Sequence, residues 1–136
     1  MKKILIGLLA GAIMLVMGLL IGQLYNLIVP SLKSEYQNPN LFRSWSDPLM
    51  SFYFVVPFIT GVILAWIWEM TKGIIKGNSP IEKGLYFGLT YWVISIPGMI
   101  MSYSSFPLTF ILVSSWTVTG LVQSLCAGLL FSKLLK

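Results

Sequence analysis

Read for hydropathy alone, the chain divides into four long apolar runs, residues 4–29, 48–70, 80–101 and 107–131, joined by short polar connections. About 20 apolar residues in an α-helix cross the roughly 30 Å hydrocarbon layer of a bilayer, and every run reaches that length. With no water to bond exposed amides, a segment in lipid must satisfy its backbone internally, which makes each run a helix. The expected fold is all-α: an integral membrane, antiparallel four-helix bundle. It forms one transmembrane domain over residues 1–136, with an outer interfacial loop at 31–47.

Breakers and caps set the expected helix ends. Pro30 closes the first span, because proline brings no amide hydrogen to the helix. Asp47 followed by Pro48 opens the second, the carboxylate capping free amides and the proline filling the first position. Pro57 predicts a kink within it. Ser79-Pro80-Ile81-Glu82 is a capping box that opens the third span. Pro97-Gly98 predicts a kink or an early finish there, and Pro107 opens the fourth. In the 31–47 loop, Asn38-Pro39-Asn40 signals a turn. Leu41, Phe42 and Trp45 are spaced for one face of a short helical turn at headgroup level, with Arg43 and Asp47 four apart and able to pair.

Met1-Lys2-Lys3 before an apolar run imitates a signal peptide. The run continues to Val29, well past the roughly 7–15 residues of a signal core, and is read as an uncleaved first span.

Composition sharpens the class. The chain is 57% hydrophobic and 10% charged, whereas a soluble domain carries about a quarter charged residues. Lipid is therefore the expected solvent, and four spans leave no room for a soluble catalytic domain. There is no histidine and a single cysteine, Cys126, which excludes an intramolecular disulfide and removes the commonest general base and metal ligand. The net charge of +5 does not gather on a nucleic-acid-binding face, and no nucleic acid partner is expected. The cations stand at span ends: Lys2, Lys3, Lys72, Lys76, Lys83, Lys133 and Lys136 on one side, Lys33 and Arg43 on the other. Seven against two places the first group in the cytoplasm, against anionic headgroups, with both termini cytoplasmic in a multi-pass protein of the cell membrane. Trp66 and Trp68 read as an aromatic belt at that side.

Helices in lipid associate through close backbone approach and interhelical hydrogen bonds. At 100° per residue, Gly7, Gly11, Gly18 and Gly22 fall within about 60° of one another, beside Tyr25. Phe54, Phe58, Gly61, Ala65 and Glu69 form a stripe on the second span, and Gly84, Gly88, Tyr91, Ser95 and Ser102 on the third. On the fourth the stripe is polar: Ser115, Thr119, Gln123 and Cys126. Turned inward, these stripes make a compact bundle in which Tyr91 is expected to meet Thr119 or Gln123 at mid-depth. Pro48-Leu49 with Thr60-Gly61 and Pro107-Leu108 with Thr119-Gly120 match at identical spacing. A Gly-x-x-x-Gly-x-x-Tyr run also recurs at Gly18 and Gly84. The match of the second and fourth spans points to an internal repeat; the glycine-tyrosine runs lie at different depths, do not superpose in a duplicated hairpin, and read as generic packing.

Candidate chemistry is sparse. Glu69 is the sole acid on an inward stripe; it reads as a gate or proton carrier, or more simply as a partner of Lys72. Met50, Met99 and Met101 offer thioethers to copper, but without cysteine or histidine beside them they read as packing residues. No base is available to activate a serine, so no catalytic residue, metal or cofactor is expected. Three functions remain. The first is a small accessory, assembly or scaffold subunit, or a homo-oligomer, working through helix–helix packing. The second is a permeation protein for a small solute or ion, with Glu69, Tyr91, Ser95, Ser115, Thr119 and Gln123 along a path between the third and fourth spans. The third is a lipid- or quinone-binding module walled by Tyr91, Trp92 and Trp116.

Overall fold

A computed structural model describes residues 1–136, and all its regular structure is helical. Helix α1 spans Lys2–Ile28, a short α2 Ser31–Tyr36, α3 Phe52–Thr71, α4 Pro80–Ser105 and α5 Phe110–Leu134. A 3-10 turn, Pro48–Ser51, leads into α3. Four helices are long and apolar enough to cross a membrane: α1, α3 with its leading turn, α4 and α5.

The helix ends follow local chemistry, with three departures from the sequence pattern. Asp47 accepts a bond from the Leu49 amide (2.9 Å) and pairs with Arg43 (3.1 Å). The amide bond first, then the guanidinium, holds its carboxyl below the usual carboxylate range. Ser79 accepts from the Glu82 amide at 3.2 Å, while the Glu82 carboxylate reaches the amide of Asn78 (2.6 Å). Pro97 does not end α4, which runs on to Ser105. Pro107 does not open α5: the helix begins at Phe110, where the Thr109 hydroxyl caps the amide of Leu112 at 3.2 Å. Leu41–Trp45 forms no helical turn. Asn38 closes on the Asn40 amide (3.0 Å) and diverts the chain, and the short helix forms earlier, at Ser31–Tyr36.

Across the bundle the order is α3, α1, α5, α4: α1 packs on α3 and α5, α4 packs on α5, and α3 touches α5 lightly. Two seams are built alike. A methyl group on Gly7 would lie 2.6 Å from Cα of Val62, and one on Gly11 2.5 Å from Cα of Phe58. A methyl on Gly61, opposite them, would strike the Gly7 carbonyl oxygen. In the second seam, a methyl on Gly84 would lie 2.6 Å from the Gly128 carbonyl oxygen and one on Gly88 2.5 Å from that of Ser124. One on Gly128 would strike the Gly84 carbonyl oxygen. In each case two glycines four residues apart on one helix straddle a single glycine on the next, and backbone lies on backbone. Ala65 is fully buried in the first seam's helix.

The glycine stripe of α1 divides between neighbours. Gly18 faces Gln123 of α5, and a side chain on Gly22 would meet nothing within 4 Å, so Gly22 takes no part in packing. The matched Pro-Leu and Thr-Gly pairs do not occupy like places either. Pro48 heads a helical turn while Pro107 lies outside α5, and Gly61 is wedged on backbone while Gly120 meets only the Trp92 ring edge at 3.9 Å.

Candidate functional site

Serine and threonine on a helix can satisfy their hydroxyls by bonding back to a carbonyl one turn earlier. Ser95 donates to the Trp92 carbonyl (2.6 Å), Ser115 to Leu112 (2.6 Å), and Thr119 to Ser115 (2.7 Å). The polar stripe of α5 is therefore turned back onto its own helix. Gln123 is too long for that geometry. Its Nε2 crosses to α1 and donates to the Met14 carbonyl at 2.6 Å, in the space that Gly18 leaves: a methyl there would lie 2.7 Å from Nε2.

The expected meeting of Tyr91 with Thr119 or Gln123 is not formed, because both potential partners are engaged elsewhere. Tyr91 is half-buried against the apolar core, and its hydroxyl makes no hydrogen bond within the chain. Of the three aromatic residues that would wall a lipid or quinone site, Trp92 and Trp116 are each held by an indole hydrogen bond. The Trp92 indole donates to the Thr117 carbonyl (2.8 Å), and that of Trp116 to the Tyr36 hydroxyl (2.6 Å).

Glu69 sits at one end of the bundle, paired with Lys72 at 3.0 Å, each side chain about a third exposed. The same ammonium donates to the carbonyls of Leu135 (3.3 Å) and Lys136 (2.9 Å), tying the end of α3 to the residues after α5. A partly exposed pair of this kind contributes at most about 1 kcal/mol.

Trp68 is the residue that sequence reading misplaced. Trp66 is 54% exposed, as a belt residue is, but Trp68 is 3% exposed at the centre of the core. Its ring stands edge-on to Phe87 (5.3 Å between centroids) and tilted to Phe131 (6.5 Å), and its indole N–H donates to the Leu135 carbonyl at 3.0 Å. This is where α3 reaches α4. The signal was present in the spacing, since Trp68 continues the stripe through Gly61, Leu64 and Ala65.

At the opposite end, a second fixture draws on residues that no local pattern joins. Glu35 accepts from both the amide (2.8 Å) and the hydroxyl (2.7 Å) of Thr109, anchoring the loop to the start of α5. Tyr36, beside it, packs on Phe42 (5.4 Å), which stands edge-on to Trp116 (6.1 Å). Burial, partly offset by the Trp116 bond, pushes the Tyr36 hydroxyl above the usual tyrosine range. An open hollow of about 410 Å³ borders this fixture, lined mostly by polar residues that include Ser31, Ser34 and Asn38. A wholly apolar groove of about 400 Å³ lies on the α1–α3 flank, between Leu8, Phe58 and Ile63. Close by sequence to the loop, Asn26 holds a buried carboxamide oxygen with no partner.

The arrangement offers fixation more than reactivity: the hydroxyls of the candidate stripe are closed on carbonyls, Gln123 is an interhelical tie, and Glu69 is ion-paired. No protein-family model, curated protein or solved structure matches this chain.

Proposed function

We propose that this chain is a multi-pass protein of the cell membrane, an antiparallel bundle with both termini and the lysine-rich end in the cytoplasm. We further propose that it serves as a small accessory or assembly subunit. The observation that carries this reading is how its polar and small residues are used. Ser95, Ser115, Thr119 and Gln123 bond to carbonyls, and Gly7, Gly11, Gly61, Gly84, Gly88 and Gly128 are consumed in internal seams. What remains to offer is outer surface.

That surface lies on α1, α3 and α4, all of which expose large apolar side chains, and α3 and α4, at the two ends of the order, each lack a neighbour on one side. Large apolar side chains stand out from both, Ile59, Ile63 and Trp66 on α3 and Leu89, Val93 and Ile94 on α4. Gly7, Gly11 and Gly18 of α1, by contrast, are already occupied within the chain, and only Gly22 of that stripe is open. A partner membrane protein, or a second copy, would meet the flanks of α3 and α4.

A photo-crosslinking residue at position 63 or 94 tests this in native membranes. The expected result is a discrete adduct with one membrane protein or a second copy. Adducts with lipid alone from both positions would contradict it. A second reading, a module that binds an amphiphile with a hydrogen-bond acceptor, rests on one observation: the hydroxyl of Tyr91, a partly buried residue, has no partner in the chain.

A further inference from the structure

The bundle is electrically lopsided. The end that carries the 72–79 connection holds seven lysines (2, 3, 72, 76, 83, 133 and 136) against Glu69 and Glu82. The other end balances Lys33 and Arg43 against Glu35 and Asp47, so the whole formal charge of +5 falls on the first. Of these lysines, Lys72 is committed to Glu69 and two carbonyls. Lys76 and Lys83, on either side of Gly77, have no ion-pair partner.

Local backbone brings these two together. Gly77 has φ +149°, a conformation that side-chain-bearing residues rarely adopt. It turns the chain so that Cγ of Lys83 lies 3.0 Å from where a side chain on Gly77 would begin. Lys83 thus folds its stem back over the residue that follows Lys76. In the same connection, Ile75 packs against the apolar core and anchors the loop, while Ile74 is 80% exposed between Lys72 and Lys76. An exposed isoleucine flanked by cations is an arrangement that suits the boundary of a leaflet, where apolar atoms enter the acyl layer and ammonium groups stay at the phosphates.

We propose that the 72–83 connection is a contact site for anionic phospholipid, with Lys76 and Lys83 holding the headgroup phosphate and Ile74 entering the acyl layer. An acidic polypeptide offers the same charge, but it does not account for Ile74 or for the exposed Trp66 and Met70 at the same end of α3. The proposal rests on the membrane reading above, and its test separates the two.

The full chain, with Cys126→Ala, is labelled with a fluorophore at Ile74→Cys or at Leu20→Cys, an exposed position on α1, and reconstituted in nanodiscs of mixed phosphatidylglycerol and phosphatidylcholine. Brominated lipid is expected to quench both positions. Quenching at 20 without quenching at 74 would overturn the lipid site and leave the membrane reading intact; quenching at neither would overturn both. In native mass spectrometry the unlabelled chain is expected to retain phosphatidylglycerol over phosphatidylcholine. Retention should fall about fivefold for each lysine removed in Lys76→Gln and Lys83→Gln, and stay unchanged in Lys33→Gln. Equal retention by all variants would overturn the proposal, as would an acidic polypeptide displaced by the two inner substitutions with lipid retention unaltered.

Discussion

Replacing Gly61 or Gly128 with alanine is expected to destabilise the folded bundle by more than about 2 kcal/mol, at the upper end of what overpacking normally costs. The reason is what the new methyl would meet. At Gly61 it strikes the Gly7 carbonyl oxygen with the Gly11 amide nitrogen behind it, and at Gly128 it strikes the Gly84 carbonyl oxygen. These are backbone atoms, which cannot rotate aside as a side-chain terminus can, so the two helices must separate and give up contact along the seam. Dispersion and close approach supply much of the cohesion between helices in lipid, where little hydrophobic drive remains. A separation of about an ångström therefore acts on the whole interface. Gly22→Ala and Gly98→Ala are the controls, since a methyl at either position meets nothing within 4 Å. Both are expected to be neutral or slightly stabilising, because alanine favours the helix by up to about 1 kcal/mol over glycine. Steric-trapping or forced-unfolding measurements in bicelles read the difference directly. Equal stability of all four variants would mean that the seams do not hold the bundle.

Trp68→Ala carries the second large effect, a loss of about 3 kcal/mol or more, in the range for emptying the site of a large buried ring. Trp68 touches Phe87 of α4 and Phe131 of α5 and ties the Leu135 carbonyl, so one side chain joins three helices at the lysine-rich end. Trp68→Phe separates the contributions. It keeps a ring in the cluster and removes the indole donor, and the expected cost is about 1 kcal/mol for the lost bond plus a smaller packing defect. Trp66→Ala, on the exposed side of the same helix, is expected to change stability little. The same unfolding measurement ranks the three, and a Trp66 effect as large as that of Trp68 would reverse the assignment of core and belt.

The parts of the fold that were legible in the sequence are those written in nearest neighbours. Four apolar runs became four long helices, and Asp47 and Ser79 cap where their spacing to Pro48 and Glu82 placed them. Arg43 meets Asp47 one turn apart. A proline alone does not fix a helix end. Pro97 remains inside a helix whose surrounding turns sustain it, and Pro107 precedes α5 because Thr109, two residues later, has the hydroxyl that can cap the free amides. Residues acting over long separations left no local trace. Glu35 finds Thr109 and Trp116 finds Tyr36 only after the loop folds onto α5. Gln123 takes the Met14 carbonyl because Gly18 happens to leave room at that depth. An inward stripe tells which side of a helix packs, not which neighbour receives it. For that reason the single stripe drawn through Gly7 to Gly22 serves α3 at one end, α5 in the middle and nothing at the other.

The account depends on the four long helices lying in a bilayer with the lysine-rich end on the cytoplasmic side. Single cysteines at Ser34, Ile74 and Lys136, each on a Cys126→Ala background, can be probed in intact cells with a membrane-impermeant maleimide. Labelling of Ser34 alone from outside, with the other two labelled only after permeabilisation, is the predicted pattern. External labelling of position 74 or 136, or a chain recovered in the aqueous fraction, would contradict it.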